Sequence, residues 1–501
     1  MKKLICIVVI CLLSLVSAQV FAKTLRVANF SSDVAGLTSL DQSFDPDSYT
    51  IITQIFDSLI HIDLKGNLVP GLATSWKLID NQSYEFELRK NVKFHNGEPL
   101  TADCVKYTYE TVINPETKAG NSWILSSIKN IEVIDTHHLK INLNHPDGMF
   151  LFRLSMFGSI VPVNYIKTNG LAHFMANPIG TGPFIFSSWE KGKQIVLKKN
   201  PDYWETGFPI YDELVFKIMP EDQWVDALKK DQVDVVTNVH PNTMADIISD
   251  GRFKTMQQLV LQGYWVMLRN QGPLADLNVR KALNHAVDKN KLIKIQNGGI
   301  GTPLVSLGKL GETGKNSKLK DFGYSPIIAQ ILLEKAGFKE GFKLKGLTIK
   351  GAEPLALSIK EDLSKVGIDL QLEVVSTLEW AKRVIVGKIT GHPYDGDLAI
   401  NLVDNPIVNL AFHAGLFLAS GSPWSLTNDP EFDKRFQTAL FQPDEKEHVM
   451  QLEQLDKYIH DQAMMLFTFQ PQRVFAMKKD VSLPDIGING HVDYFVFSHA
   501  K

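Results

Sequence analysis

Apolar residues recur along the chain in two rhythms, a period of two in short runs and a period near 3.6 between them, which is the signature of mixed strands and helices. Leu25, Val27 and Phe30 lie on a short alternating strand, and the apolar spacing over 49–62 predicts a helix that packs on one side. Tyr84, Phe86 and Leu88 alternate with Glu85, Glu87 and Arg89, as in a strand with one face buried. A helix is expected over 101–112, and paired strands at 131–133 and 139–143.

The most legible stretch runs from 344 to 404. A strand at 347–350 is followed by Pro354 in a first helical turn, then by Leu355, Ile359, Leu363 and Val366 on one face, with Gly367 as terminator. Ile368, Leu370, Leu372 and Val374 alternate as the next strand. Thr377 is placed to cap a helix through Trp380, Val384 and Ile385, and 397–403 is an almost wholly apolar third strand. This β-α-β-α-β order predicts right-handed crossovers and a parallel sheet. Ligands of open α/β sheets sit beyond the carboxyl ends of the strands, which is where Asp404 falls, with Asn401, Asn405 and Pro406 beside it. Two extended segments, 262–270 (with Tyr264 and Trp265) ahead of a helix through Val279, Ala282, Leu283 and Ala286, and 466–475, read as paired crossings between two units. Such pairs form hinges that close around a ligand.

Composition narrows the field. The 501 residues are 44% hydrophobic and 21% charged, with 34 Gly and 23 Pro, which excludes fibrous and disordered classes and implies two to four domains. The formal charge of −3, without a block of one sign, argues against a nucleic-acid partner. Residues 1–22 start with Lys2 and Lys3, continue through an apolar run at 4–16 and end on Ala22, so they read as a cleavable secretory leader. The run is too short for a membrane anchor, which needs about 20 residues. Cleavage removes both lysines and takes the charge from −3 to −5. It also removes Cys6 and Cys11, leaving Cys104 without a disulfide partner, more in keeping with a small core residue than a nucleophile. A soluble, exported, disulfide-free chain suggests a bacterial periplasm.

Signals for chemistry are missing. No Gly-x-Ser-x-Gly elbow occurs, and Ser420 lacks flanking glycines. No phosphate-binding Gly-x-x-x-x-Gly-Lys-Ser/Thr loop is present, and Gly298, Gly299 and Gly301 fit a turn better than a dinucleotide fingerprint. His137 and His138 are adjacent, so a strand would point them to opposite faces and prevent joint ligation. No cofactor is expected.

The segment PGLATSWKLIDNQSYEFELRKNVKFHNGEPLTADCVKY at 70–107 resembles the signature of the bacterial extracellular solute-binding proteins of family 5, receptors of ABC importers for oligopeptides, dipeptides, nickel and antimicrobial peptides. The resemblance continues in order through NPIGTGPF at 177–184, KNPDYW at 199–204, DVVTNV at 234–239 and LNVRKALNHAVDKNKLI at 277–293. LEKAGF at 333–338, KVGIDL at 365–370 and NDPEFD at 428–433 complete it, so nearly all of the chain after the leader is covered. It implies an α/β, class II periplasmic-binding-protein-like fold of two lobes and three domains, with mixed sheets, helices on both faces and a hinged cleft. Domain I would comprise 23–56, 180–262 and 476–501, with domain II inserted at 57–179 and domain III at 263–475. The implied protein is no enzyme but a monomeric periplasmic receptor that captures peptides and hands them to an inner-membrane permease and its ATPase subunits.

Departures from the family pattern bear on the ligand. Where the dipeptide receptors carry a Trp-x-x-Asp amine anchor, Asn401, Leu402, Val403 and Asp404 keep the acid and lose the Trp. Where they carry an Arg carboxylate anchor before the helix at Leu355, this chain has Glu353 and Pro354. The expected ligand-binding set is Asp404, Asn401, Asn405, Tyr264, Trp265 and Trp380. Core packing is the competing role for each aromatic, and a helix or turn cap for Asp404. His413 lies where the nickel receptors carry their histidine, but Ala411, Phe412, Ala414 and Gly415 around it do not match. A nickel chelate or haem-like ligand is the second reading, and an exported enzyme the third.

Overall fold

A computed structural model describes residues 23–30, 32–41, 46–120, 122–482, 487–488 and 498–499. The leader expected at 1–22 lies outside the described residues, as does most of the segment expected to end domain I. Among the described residues three large sheets organise the chain. The first has eight strands, in the order Phe253–Leu259, Phe469–Lys478, Val235–Val236, Thr24–Phe30, Glu213–Ile218, Gln194–Lys199 and Phe184–Glu190, with Gly301–Pro303 added beside Phe469–Lys478. The second is an antiparallel four-stranded sheet, Ala73–Asp80, Ser83–Leu88, His138–Leu143 and Ile128–Asp135. The third has five strands, Ile368–Val375, Phe342–Ile349, Leu398–Asp404, Gln262–Leu268 and Met465–Leu466. This is the two-lobed α/β architecture expected. No helix among the described residues is long and apolar enough to cross a membrane.

The third sheet forms as its pattern predicts. Phe342–Ile349 pairs in parallel with both Ile368–Val375 and Leu398–Asp404. The helix Glu353–Ser364 between the first two strands carries its proline in the first turn, buries Leu355, Ile359 and Leu363, and is followed by Gly367 at φ +86°, a left-handed position that favours glycine. The cap of the next helix is Ser376 rather than Thr377: its side chain accepts from the Glu379 amide at 3.2 Å.

One expectation fails at 49–62. The helix there is Pro46–Ile55, and Ile60–Ile62 is a strand paired with Leu68–Pro70. The reason is tertiary. The Ile55 carbonyl accepts the Gly182 amide at 2.9 Å, and the carbonyls of Ser58 and Leu59 accept amides from residues 71–73, so the next helical turn has lost its acceptors. A methyl group on Gly180 would lie 2.0 Å from the Ile55 carbonyl oxygen, and one on Gly182 2.5 Å from its carbon, so only glycine permits this approach. Buried Asp57 completes the joint, accepting from Thr181 Oγ1 at 2.9 Å, Trp204 Nε1 at 2.9 Å and the Tyr203 hydroxyl at 3.2 Å. The motifs at 177–184 and 199–204 thus weld the second sheet's unit onto the first.

The chain passes from the first sheet to the third at residues 260–261 and returns at 467–468, because Phe469–Lys478 pairs with Phe253–Leu259. The return to the first sheet therefore comes earlier than the expected residue 476. The two crossings are tied together. Thr468 Oγ1 donates to the Tyr264 carbonyl at 2.6 Å, and Gln470 Nε2 to the Val260 carbonyl at 3.0 Å. The lobes also touch outside the crossings, where the Gly148 amide donates to the Leu440 carbonyl at 2.7 Å and the rings of His145 and Phe441 meet at 5.0 Å.

Candidate functional site

Asp404 is the last residue of its strand, opposite Gln262 at the first crossing. Its Oδ1 is buried and has no hydrogen-bond partner, while Oδ2 lies 3.9 Å from the guanidinium of Arg473, a residue of the first sheet. The turn and cap roles fall to its neighbours. Asn405 Oδ1 accepts the Ile407 amide at 3.3 Å, and Asn409 caps the helix Leu410–Leu418 by accepting the Ala411 amide at 2.9 Å. The Asp404 carboxylate caps nothing.

Behind the Asp404 backbone is a buried polar network. Lys309 and Glu312, both fully enclosed, form an ion pair at 2.8 Å. Lys309 Nζ also donates to His413 Nδ1 at 2.9 Å, which leaves His413 Nε2–H to donate to the Asp404 carbonyl at 3.0 Å. Burial first, and then Lys309, hold the His413 pKa well below its usual value, so this ring is neutral. Asn405 Nδ2 donates to Glu312 and, at 2.8 Å, to the Asn409 carbonyl. Asp456 accepts from Ser306, Gly308 and Asn316 close by, and burial raises its pKa. With both ring nitrogens of His413 engaged, it has no lone pair to offer a metal, and no group of three or more His, Cys, Asp or Glu among the described residues could hold one.

The other expected residues separate. Trp265 is 2% exposed, donates to the Val403 carbonyl at 3.2 Å and lies under Lys309, which sits 4.8 Å from its ring. Trp380 is fully buried against Trp424, its Nε1 unpartnered. Both are enclosed by protein, and so is Asn405. Asn401 is 5% exposed, with Oδ1 turned back onto the Leu402 amide at 2.8 Å. Tyr264 packs on Phe469 at 5.3 Å across the crossings, and its hydroxyl accepts from Gln296 at 3.1 Å. Gln296 Oε1 in turn accepts the Leu355 amide at 3.1 Å, at the start of the helix that Glu353 opens. Lys309, Glu312, Gln296 and Arg473 were not singled out by sequence. Lys309 and Glu312 have the i, i+3 spacing of a solvated surface pair, and the other two meet partners 32 or more residues away.

Comparison with known proteins decides the lineage. The model of "Bacterial extracellular solute-binding proteins, family 5 Middle" matches residues 67–401. The chain belongs to that family. This family 5 protein is 28% identical over 512 residues to a dipeptide-binding protein of Escherichia coli K12, covering 91% of this chain and 92% of that one. It is 26% identical over 484 residues to di/tripeptide-binding protein 2 of Pseudomonas aeruginosa, covering 88% and 90%. Among solved structures it superposes on an ABC transporter-associated periplasmic binding protein, DppA, of Helicobacter pylori in complex with the peptide STSA. The TM-score is 0.77 at 25% identity, over 95% of this chain and 98% of the other.

Proposed function

We propose that this family 5 protein is an exported receptor that captures peptides between its lobes and delivers them to the permease and ATPase subunits of an ABC importer. Residues 1–22 are its leader, the mature chain works as a monomer in the periplasm, and the units built on the first and third sheets close about the two crossings. The observation that carries this reading is the Asp404 carboxylate, held beside a crossing with one buried oxygen unsatisfied. Burying a carboxylate oxygen without a donor is costly, so a ligand ammonium delivers binding energy there. Relatives over nearly the whole chain are named for dipeptides and di/tripeptides. The spent ring nitrogens of His413 speak against a metal chelate at this point. Native mass spectrometry of protein purified from its source should show a set of peptide masses; a single porphyrin or metal mass would overturn the reading. In calorimetry, Asp404→Ala should weaken peptide binding by about tenfold or more; unchanged affinity would remove Asp404 from the site.

A further inference from the structure

We infer that the unit built on the second sheet is a latch on lobe closure: its two glycine turns, at Gly66 and Gly148, seat on the third-sheet unit when the lobes shut, and so set how firmly the closed form is held without touching the ligand. The inference rests on the closing reading above and adds to it the part that holds the closed form. The second-sheet unit is welded to the first through Asp57, Gly180 and Gly182, so it travels with that lobe. Both of its turns are fixed from within. Asp63 accepts the amides of Lys65 and Asn67 at 2.8 and 2.9 Å, and buried Asp147 accepts the Met149 amide at 3.0 Å and Arg153 Nη1 at 2.6 Å. A turn already rigid loses little freedom when it docks.

Glycine is required where each turn meets the other lobe. At Gly66, buried between exposed Lys65 and Asn67, a methyl group would lie 2.7 Å from Val408 Cγ1. At Gly148, whose amide donates to the Leu440 carbonyl at 2.7 Å, it would lie 2.4 Å from both the Gln442 carbonyl oxygen and His448 Nδ1. The two contacts reach the same segment of the third-sheet unit. Asn409 Nδ2 donates to His448 Nε2 at 3.0 Å, and the preceding Val408 is held at φ +56°, which a β-branched residue keeps only where its surroundings enforce it. Leu261, Ile488 and Gly66 enclose the Val408 side chain, so part of that enclosure arrives with the other lobe.

Small-angle scattering during titration with a tryptic digest of casein tests this on the full chain, stripped of ligand in guanidinium and refolded, with wild type compared against Gly148→Ala and Phe441→Ala. Gly148 lies outside the left-handed region, and the three atoms nearest an added methyl group all belong to the third-sheet unit, so Gly148→Ala opposes closure and spares the fold of each unit. Its urea midpoint without peptide should match wild type. A ligand held by the closed form loses apparent affinity in proportion to the population of that form, so Gly148→Ala should need about tenfold more digest, or greater, to reach the compact wild-type curve. Phe441→Ala, which removes an exposed ring from contact with His145, should need about threefold more. Gly148→Ala that compacts at the wild-type concentration overturns the latch and leaves the receptor reading standing. Wild type that never compacts takes away the closing reading and this inference with it. Phe441→Ala alters only an exposed side chain, so if Gly148→Ala folds poorly, an unshifted Phe441→Ala titration overturns the latch in its place.

Discussion

The two sides of Asp404 are built on opposite rules. Behind its backbone, Lys309, Glu312, His413, Asn405 and Asn409 exchange hydrogen bonds until each has a partner inside the protein. On the side-chain side one carboxylate oxygen has no donor and the other has a single arginine at ion-pair distance. Buried polar groups are ordinarily satisfied, so an exception beside a well-satisfied network marks the place where an outside partner is expected. The network holds the acid in position, and the open side is where we propose that the ligand binds. The two should therefore respond oppositely to mutation, one in stability and the other in affinity.

The largest effect expected is on the hidden side. Lys309→Met removes one member of a fully enclosed ion pair and leaves Glu312 charged without its partner, a change that costs about 3–5 kcal/mol. Urea unfolding should show this loss, and adding Glu312→Leu should restore much of it, because the stranded charge dominates the cost. If Lys309→Met unfolds at the wild-type midpoint, the network is not what holds Asp404.

Acid should attack this interior and the joint at Gly180 and Gly182, where His95 sits. His413 and His448 have pKa values lowered chiefly by burial, and His95 is brought down to about 4 by burial, against the opposing pull of the Gly182 carbonyl and Asp57. His448 also faces Asp147, which raises its pKa, and Arg153, which lowers it. A folded histidine that resists protonation contributes fully above the unfolded pKa near 6.5 and loses that contribution as pH falls toward the folded value. Between pH 6.5 and about 4 the His95 ring should remove roughly 1.4 kcal/mol per pH unit. Asp41 and Asp456, whose pKa values burial raises, act in the opposite sense in acid. The clean measurement is thus the wild-type slope minus that of His95→Gln, which should be close to one proton over this range. Identical slopes would mean that His95 is protonated in the folded protein.

A smaller effect tests the crossings that carry the acid. Thr468 is buried, and its hydroxyl is one of the few side-chain links between the outgoing and returning chains. Thr468→Val keeps the shape and removes the bond, which should cost about 1 kcal/mol in chemical unfolding. Loss of less than about 0.3 kcal/mol would show that the backbone alone ties the crossings.

How far these features could be read from sequence follows from how local their causes are. Gly367, Pro354 and the alternation at 368–374 act through neighbouring residues, and the third sheet appears where they place it. The helix starting near residue 49 ends early because Gly182, more than a hundred residues on, takes the Ile55 carbonyl. Asp404 stands out in the sequence by its position at a strand end, a topological rule that needs no partner. Arg473, Lys309 and Gln296 make contacts with residues 69, 104 and 59 positions away that no local pattern shows. Trp265 and Trp380 looked like pocket walls because apolar aromatics serve core and cleft equally well, and here the core took both.

The smallest expected change in stability is also the one that decides most. Asp404→Asn deletes the charge on the open side while keeping the shape of the side chain. The acid accepts no hydrogen bond from the protein, and its contact with Arg473 is a long one beside a partly exposed carboxylate, the kind of pair worth little in stability. The substitution removes only that weak, long ion pair, so folding should shift by no more than about 0.5 kcal/mol in urea unfolding. Peptide affinity should nevertheless fall by about tenfold or more, because a ligand ammonium loses its counter-charge while the guanidinium of Arg473 remains. A loss of stability above about 1.5 kcal/mol would place Asp404 among the groups that hold the fold, and the division between its two sides would not survive.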